Sequence, residues 1–177
     1  MPGNHGQQRL PGQKLGKGMI IAAWLGVMAL LTYYFSGVEE DRYNPNREFA
    51  STSGAGFAEV ILKRNRQEHY VASGEINGKK VTFLLDTGAT VVAVPYHLKD
   101  SLGLNPGMAV ATKTANGTST SYTTSIDELT LGDIRVNNVR AGLATGLKGD
   151  EILLGMSFLS DLELTQRGDT LVIRQYH

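Results

Sequence analysis

Paired turn residues recur through the second half of the chain, and they restrict its fold more than any other feature. Asn77-Gly78, Asn116-Gly117, Gly132-Asp133 and Arg167-Gly168-Asp169 each stand between short runs rich in Val, Ile, Leu, Thr or Tyr. A two-residue Asn-Gly link tolerates φ > 0 at both positions and suits the twist of antiparallel strands, so it predicts a hairpin. The spacing predicts strands over 70–76 and 79–85, then 91–94. A hydroxyl-rich hairpin follows over 110–126, centred on Asn116-Gly117. Further pairs fall at 129–131 with 134–136 and at 162–165 with 170–174. Pro95 is expected to open a short helix that carries Leu98 and Leu102 on one face and stops at Gly103. No internal repeat is present, and the strand–long helix–strand pattern of a parallel sheet is missing. Residues 59–177 therefore read as an all-β domain with one short helix.

Composition narrows the function. Hydrophobic residues make up 41% of the 177 and charged ones 19%, enough apolar material for a packed core. Lys plus Arg number 17 and Asp plus Glu 17, so an electrostatic case for nucleic-acid binding fails. That zero sum conceals a division. Residues 1–36 hold Arg9, Lys14 and Lys17 with no acid, which leaves 14 basic and 17 acidic residues in the remainder. Cysteine is absent, which removes disulfides, thiol catalysis and Cys-ligated zinc. His5, His69, His97 and His177 show no metal-ligand spacing, so no metal and no cofactor are expected.

The N-terminal third reads as an anchor and a tether. Residues 1–18, rich in Gly, Gln and Pro, are expected to lack structure. Met19 to Phe35 then runs 17 residues without a charge, which reaches the roughly 17–25 a spanning helix needs, and residues 19–36 are assigned to the bilayer. The alternative is a cleaved signal peptide, whose apolar part is usually about 7–15 residues. The run is longer than that, and cleavage after Ser36 would place bulky Tyr34 at −3, so an uncleaved span is expected. Tyr33 and Tyr34 suit a membrane–water boundary. The basic flank before the span favours an N-terminus in the cytoplasm and a body outside it. Residues 37–58 lack an apolar period and read as a flexible tether, with Gly54-Ala55-Gly56 a linker.

The chemistry concentrates in Phe83-Leu84-Leu85-Asp86-Thr87-Gly88-Ala89-Thr90. A lone Asp-Thr-Gly could be a turn. By average composition it arises by chance in roughly a few of every hundred chains of this length, and the apolar lead-in with Ala-Thr behind it makes chance far rarer. A single Asp near its ordinary pKa of about 3.9 is a poor acid and a poor base at neutral pH. Two carboxylates about 3 Å apart cannot both ionise and share one proton, so one activates water while the other protonates a carbonyl oxygen. Thr87 is expected to brace the loop with its hydroxyl, and Gly88 to let backbone approach the carboxylate. Gly155-Met156-Ser157-Phe158-Leu159 lacks the last Gly of a nucleophile elbow, and Ser157 has no evident His partner.

Taken together, these residues resemble the retropepsin-like aspartic proteases, in their bacterial membrane-anchored branch, over about residues 59–177. Gly74 to Val81 resembles the hairpin that leads into the catalytic loop. Thr114-Ala115-Asn116-Gly117 falls where these enzymes carry a substrate-covering flap. Ile152 to Leu159, with Leu153, Leu154 and Gly155 at its centre, resembles the element packed beneath the loop. The resemblance implies a small closed barrel with one helix and cofactor-free endopeptidase activity on protein or peptide substrates. Asp86 would be catalytic, with Thr87, Gly88, Ala89 and Thr90 supporting the loop. Asp-Thr-Gly occurs once and Asp-Ser-Gly not at all, so a body of this size can build the pair only as a two-fold homodimer. The corresponding setting is the bacterial inner membrane, N-terminus in the cytoplasm and body in the periplasm. The rival reading is a catalytically silent barrel that binds peptides or envelope partners.

Overall fold

A computed structural model describes residues 12–114 and 117–177. Residues 1–11, part of the expected unstructured head, and Ala115 and Asn116 of the expected flap lie outside the described residues. Two compact units result, Met1–Glu40 and Asp41–His177. The first is helix over its described residues, within α1 (Gly12–Tyr43). Residues 12–18 thus differ from the expected unstructured head. No proline follows Pro11 there, and Gln13, Lys14, Leu15 and Lys17 all favour helix. Within α1, Gly18–Phe35 is long and apolar enough to cross a membrane, with the large side chains exposed. It has the length and composition of a membrane span or of a signal sequence. The helix continues beyond Phe35 because nothing breaks it before Pro45, whose ring disfavours helical backbone at Asn44.

The second unit is built from eleven strands in its described residues. They are β1 (Ala50–Gly54), β2 (Phe57–Lys63), β3 (Val71–Ile76), β4 (Lys79–Leu85), β5 (Val92–Pro95), β6 (Ala109–Thr114), β7 (Gly117–Leu131), β8 (Ile134–Ala144), β9 (Glu151–Leu154), β10 (Glu163–Arg167) and β11 (Thr170–Tyr176). Seven form a sheet in the order β3-β4-β9-β5-β8-β7-β6, and Glu75 and Ile76 of β3 pair back onto Thr130 and Leu129 of β7, closing a barrel. The other four form an antiparallel sheet, β1-β2-β11-β10. Phe83, Ile126, Leu131, Ile134, Leu143 and Leu154 fill the core together with Val60, Leu62 and Ile173 from the four-stranded sheet. The Asn77-Gly78 link is a hairpin turn as expected, with φ of 50° and 74°.

Four expectations need correction. First, the body begins well before Glu59. Residues 50–54 and 57–63 form a hairpin about Ala55-Gly56, so residues 50–58 of the stretch read as tether and linker belong to the sheet, while residues 37–43 continue α1. In β2, Ala58, Val60 and Leu62 alternate into the core. Just upstream, Asn46 is 2% exposed and bonded on every side. Its Nδ2 donates to the Lys63 and Val71 carbonyls at 2.8 and 2.6 Å, and its Oδ1 accepts from Lys63 N at 2.6 Å. Ser73 N donates to its backbone carbonyl at 3.1 Å, and Asn65 Nδ2 donates to the Tyr43 carbonyl at 3.0 Å. Residues 43–47 are thereby fastened to the body.

Second, the helix placed after Pro95 is only a 3-10 turn, Tyr96–Leu98. Ser101 Oγ donates to the Leu98 carbonyl at 2.8 Å, Gly103 has φ of 69°, and Leu104 N reaches back to Lys99 O at 2.8 Å, so the chain coils on itself instead of propagating a helix. The α-helical turn lies at α2 (Met156–Leu159), which buries Phe158 and Leu159. Third, β7 is one continuous strand through Leu131, and Thr114 pairs with Gly117. Gly117 therefore stands in a strand and not in the expected turn, while Asn116 lies outside the described residues. Fourth, two pairings are parallel, β4 with β9 and β5 with β8, although no long helix connects them.

Candidate active site

The parallel pairing of β4 with β9 explains where the site forms. The register matches Leu85 with Leu154, so the next residues, Asp86 and Gly155, begin two loops side by side at one end of the barrel. Asp86 N donates to the Leu154 carbonyl at 3.2 Å, continuing the ladder by one rung. The loop then turns on itself. Gly88 N donates to Asp86 Oδ1 at 2.9 Å, and Ala89 N donates to the Asp86 carbonyl at 3.1 Å. A Cβ at Gly88 would lie 3.1 Å from that same carboxylate oxygen, so glycine permits the close approach expected there. Asp86 is half-buried, while Thr87, Gly88 and Thr90 are exposed.

Beneath the loop, Gly155 leaves no room for a side chain. A Cβ there would meet the Val91 and Ala89 carbonyl oxygens at 2.3 and 2.7 Å. Met156 N donates to Ala89 O at 2.8 Å and Ser157 N to Thr90 O at 3.1 Å. Leu154 is buried and Leu153 half-buried, the latter opposite Ala93 of β5. The structure thus brings together Asp86, Gly88, Ala89, Thr90, Leu153, Leu154 and Gly155. Thr87 departs from expectation: among the described residues its hydroxyl has no hydrogen-bond partner. Bracing comes from backbone amides and from Ser157, which sequence reasoning set aside. Its signal was readable, a serine two residues past the glycine that supports the loop.

The expected flap is the β6–β7 hairpin at the edge of the seven-stranded sheet. Thr114 and Gly117 close its described part, with Ala115 and Asn116 outside it. At its root, Thr145 Oγ1 donates to the Thr120 carbonyl at 2.7 Å, and Gly107 N donates to the Thr123 carbonyl at 2.7 Å. Tyr122 of β7 packs on Tyr96, ring centroids 5.3 Å apart. A second contact unread in the sequence joins the Tyr43 hydroxyl to the Glu151 carboxylate at the start of β9. Burial holds the Glu151 carboxyl above its ordinary range. Among the described residues no group of three His, Asp or Glu side chains is placed to hold a metal ion.

Comparison with known proteins settles the lineage. Residues 72–161, just over half of the chain, match the family described as "gag-polyprotein putative aspartyl protease". The chain belongs to that family. The matched span includes both the Asp86 loop and the Gly155 element. A Sinorhizobium protein described as an uncharacterised protein in the cobV 5′ region is 34% identical over 175 residues, covering 91% of this chain and 75% of its own length. Among solved structures, the retropepsin-like aspartic protease from Rickettsia conorii superposes with a TM-score of 0.56 at 23% identity, over 72% of this chain and 94% of that one. The fold of this family member is therefore retropepsin-like, mostly β, with an N-terminal apolar helix before it.

Proposed function

We propose that this retropepsin-like protein is a membrane-anchored aspartic endopeptidase, active as a homodimer in which each subunit supplies Asp86. One observation carries the reading. A single half-buried aspartate ends β4 on a loop whose backbone is fastened from below, and its carboxylate accepts an amide of its own loop. One barrel with one such loop makes half of a site, and a two-fold axis supplies the other half. The exposed Thr87 hydroxyl, without a hydrogen-bond partner among the described residues, fits a loop that faces a second copy.

Across that axis the two carboxyl groups would share one proton, which belongs to the pair and not to either residue. The ionised member takes a proton from a bound water as the water oxygen attacks the scissile carbonyl carbon. The protonated member donates to the carbonyl oxygen as its double bond opens. Collapse of the resulting gem-diol transfers a proton to the amide nitrogen, the C–N bond breaks, and the dyad returns to one proton shared by two carboxyls. The β6–β7 hairpin would order the peptide and exclude water. No cofactor enters. With Gly18–Phe35 as the span, the body would work in the periplasm of a bacterial cell, its N-terminus in the cytoplasm.

The test is Asp86→Asn in the full chain. It removes both carboxylates of every dimer at almost constant volume, and cleavage of a peptide library should vanish while the circular dichroism spectrum stays unchanged. Substantial residual hydrolysis by a well-folded, highly purified variant would refute the assignment. A reporter fused after His177 and active in the periplasm would support the orientation.

A further inference from the structure

The Ser157 hydroxyl is engaged twice. Val92 N donates to Oγ at 3.0 Å, and Oγ donates to the Arg140 carbonyl at 2.7 Å. In the parallel pairing of β5 with β8, Val92 stands opposite Ala141. Parallel ladders carry evenly spaced, slanted rungs. Extending this one back toward the loop would bring the Val92 amide onto the Arg140 carbonyl, and those are the two groups that the hydroxyl joins. Ser157 is spliced into the ladder as a relay, and it holds the two strands one hydroxyl apart where the chain leaves the Asp86 loop. Its own amide takes the Thr90 carbonyl at 3.1 Å. Both sides of Val91 are therefore fixed by this one residue.

We propose that Ser157 is a positioning residue for Asp86, setting the aim of the carboxylate by holding the exit of its loop. The front of the loop is fixed by strand pairing, since Asp86 N bonds the Leu154 carbonyl. Only the rear depends on a side chain. That side chain must donate and accept at one atom close to the backbone, which serine and threonine do and alanine does not. Without the hydroxyl, the Val92 amide and the Arg140 carbonyl must either close on each other, drawing the loop exit toward β8, or go unpaired. Both move the loop about its front hinge. This inference rests on the reading of Asp86 as half of a two-fold site, where one displacement enters twice because both subunits carry it.

The experiment uses the full chain in detergent micelles as wild type, Ser157→Ala and Ser157→Thr. Each is assayed for hydrolysis of a peptide library and of its best-cleaved member, and for amide hydrogen exchange over residues 86–92. Ser157→Ala should lower kcat about tenfold, the scale of a sub-ångström misplacement of reacting groups. KM should stay within about twofold, because substrate contacts are untouched. Exchange over 86–92 should quicken while β2 and β11 keep wild-type protection, and Ser157→Thr should restore most of both. Should Ser157→Ala fail to fold, Ser157→Cys, of similar size but with a weak donor and acceptor, is read by the same criteria. Unchanged kcat and exchange would overturn the proposal, as would a loss that threonine does not recover. If the wild type cleaves nothing, the endopeptidase reading fails, and the exchange measurement alone still decides whether Ser157 holds the loop.

Discussion

Asn46→Ala offers a direct test of where the folded body begins. The Asn46 side chain makes three hydrogen bonds to backbone groups of Lys63 and Val71, at 2.6–2.8 Å. At about 1 kcal/mol net for each, truncation should cost about 3 kcal/mol, and more if the abandoned groups stay dry. Asn46 is 2% exposed, so water has little access to replace the amide. Against a total of about 5–15 kcal/mol for a domain, that is a large share. With a urea slope of about 2 kcal/mol/M, the unfolding midpoint of the full chain in micelles should fall by about 1.5 M. The chain has one tryptophan, Trp24, and it lies in α1. Near-ultraviolet dichroism of the tyrosines or pulse proteolysis is therefore the appropriate probe. Asn137→Ala, at an exposed position of β8, serves as a control and should shift stability by less than about 0.5 kcal/mol. A midpoint for Asn46→Ala that matches this control would refute the argument and restore a flexible tether.

Gly155→Ala should abolish activity and destabilise the body by about 3 kcal/mol or more, because its Cβ would stand 2.3 Å from the Val91 carbonyl oxygen; wild-type melting and turnover would contradict the packing. Glu151 has a carboxyl raised by burial, so its contribution to stability is present below the unfolded-state pKa and is lost as pH rises through the folded one. Glu151→Gln should therefore gain stability relative to wild type at neutral pH and lose that gain in acid, as read by urea midpoints across pH. Peptide cleavage should peak at acidic to mildly acidic pH and resist chelators, since the shared-proton pair needs one protonated carboxyl and no metal; inactivation by a chelator with recovery on adding zinc would exclude the dyad. Specific activity in micelles should fall on dilution as dimers separate, and a monomer that keeps full activity would contradict the two-fold site.

The sequence displayed what local chemistry dictates and concealed what tertiary contact dictates. Asn77-Gly78, Gly132-Asp133 and Gly168-Asp169 mark three hairpins because left-handed backbone needs particular residues, and the φ values at Asn77, Gly78, Gly132 and Gly168 are positive. The Asp86 loop and Gly155 were readable for a similar reason, since close backbone approach admits few side chains. Strand β1 was not readable. Ala50-Ser51-Thr52-Ser53-Gly54 lies at a sheet edge, mostly exposed, so no apolar alternation betrays it. Asn46 looks like a loop residue until the carbonyls of Lys63 and Val71 come within reach, and so does Asn44 until the Ser73 hydroxyl does. The misplaced helix shows the limit of caps used alone, because Pro95 and Gly103 bracket a stretch too short to propagate a helix against the local bonds of Ser101 and Leu104.

The pairing of β2 with β11 imposes an order in time. Phe57 finds its partner in Tyr176, and Lys63 finds its partner in Thr170, so the sheet that unites them waits for nearly the whole body to emerge from the ribosome. Contacts this distant along the chain are slow to close. Until β11 arrives, β2 presents the apolar row Ala58, Val60 and Leu62 without a neighbour on that side. The four-stranded sheet is therefore incomplete in a nascent chain until β11 has emerged, and the apolar row of β2 waits on the far end of the body for its cover.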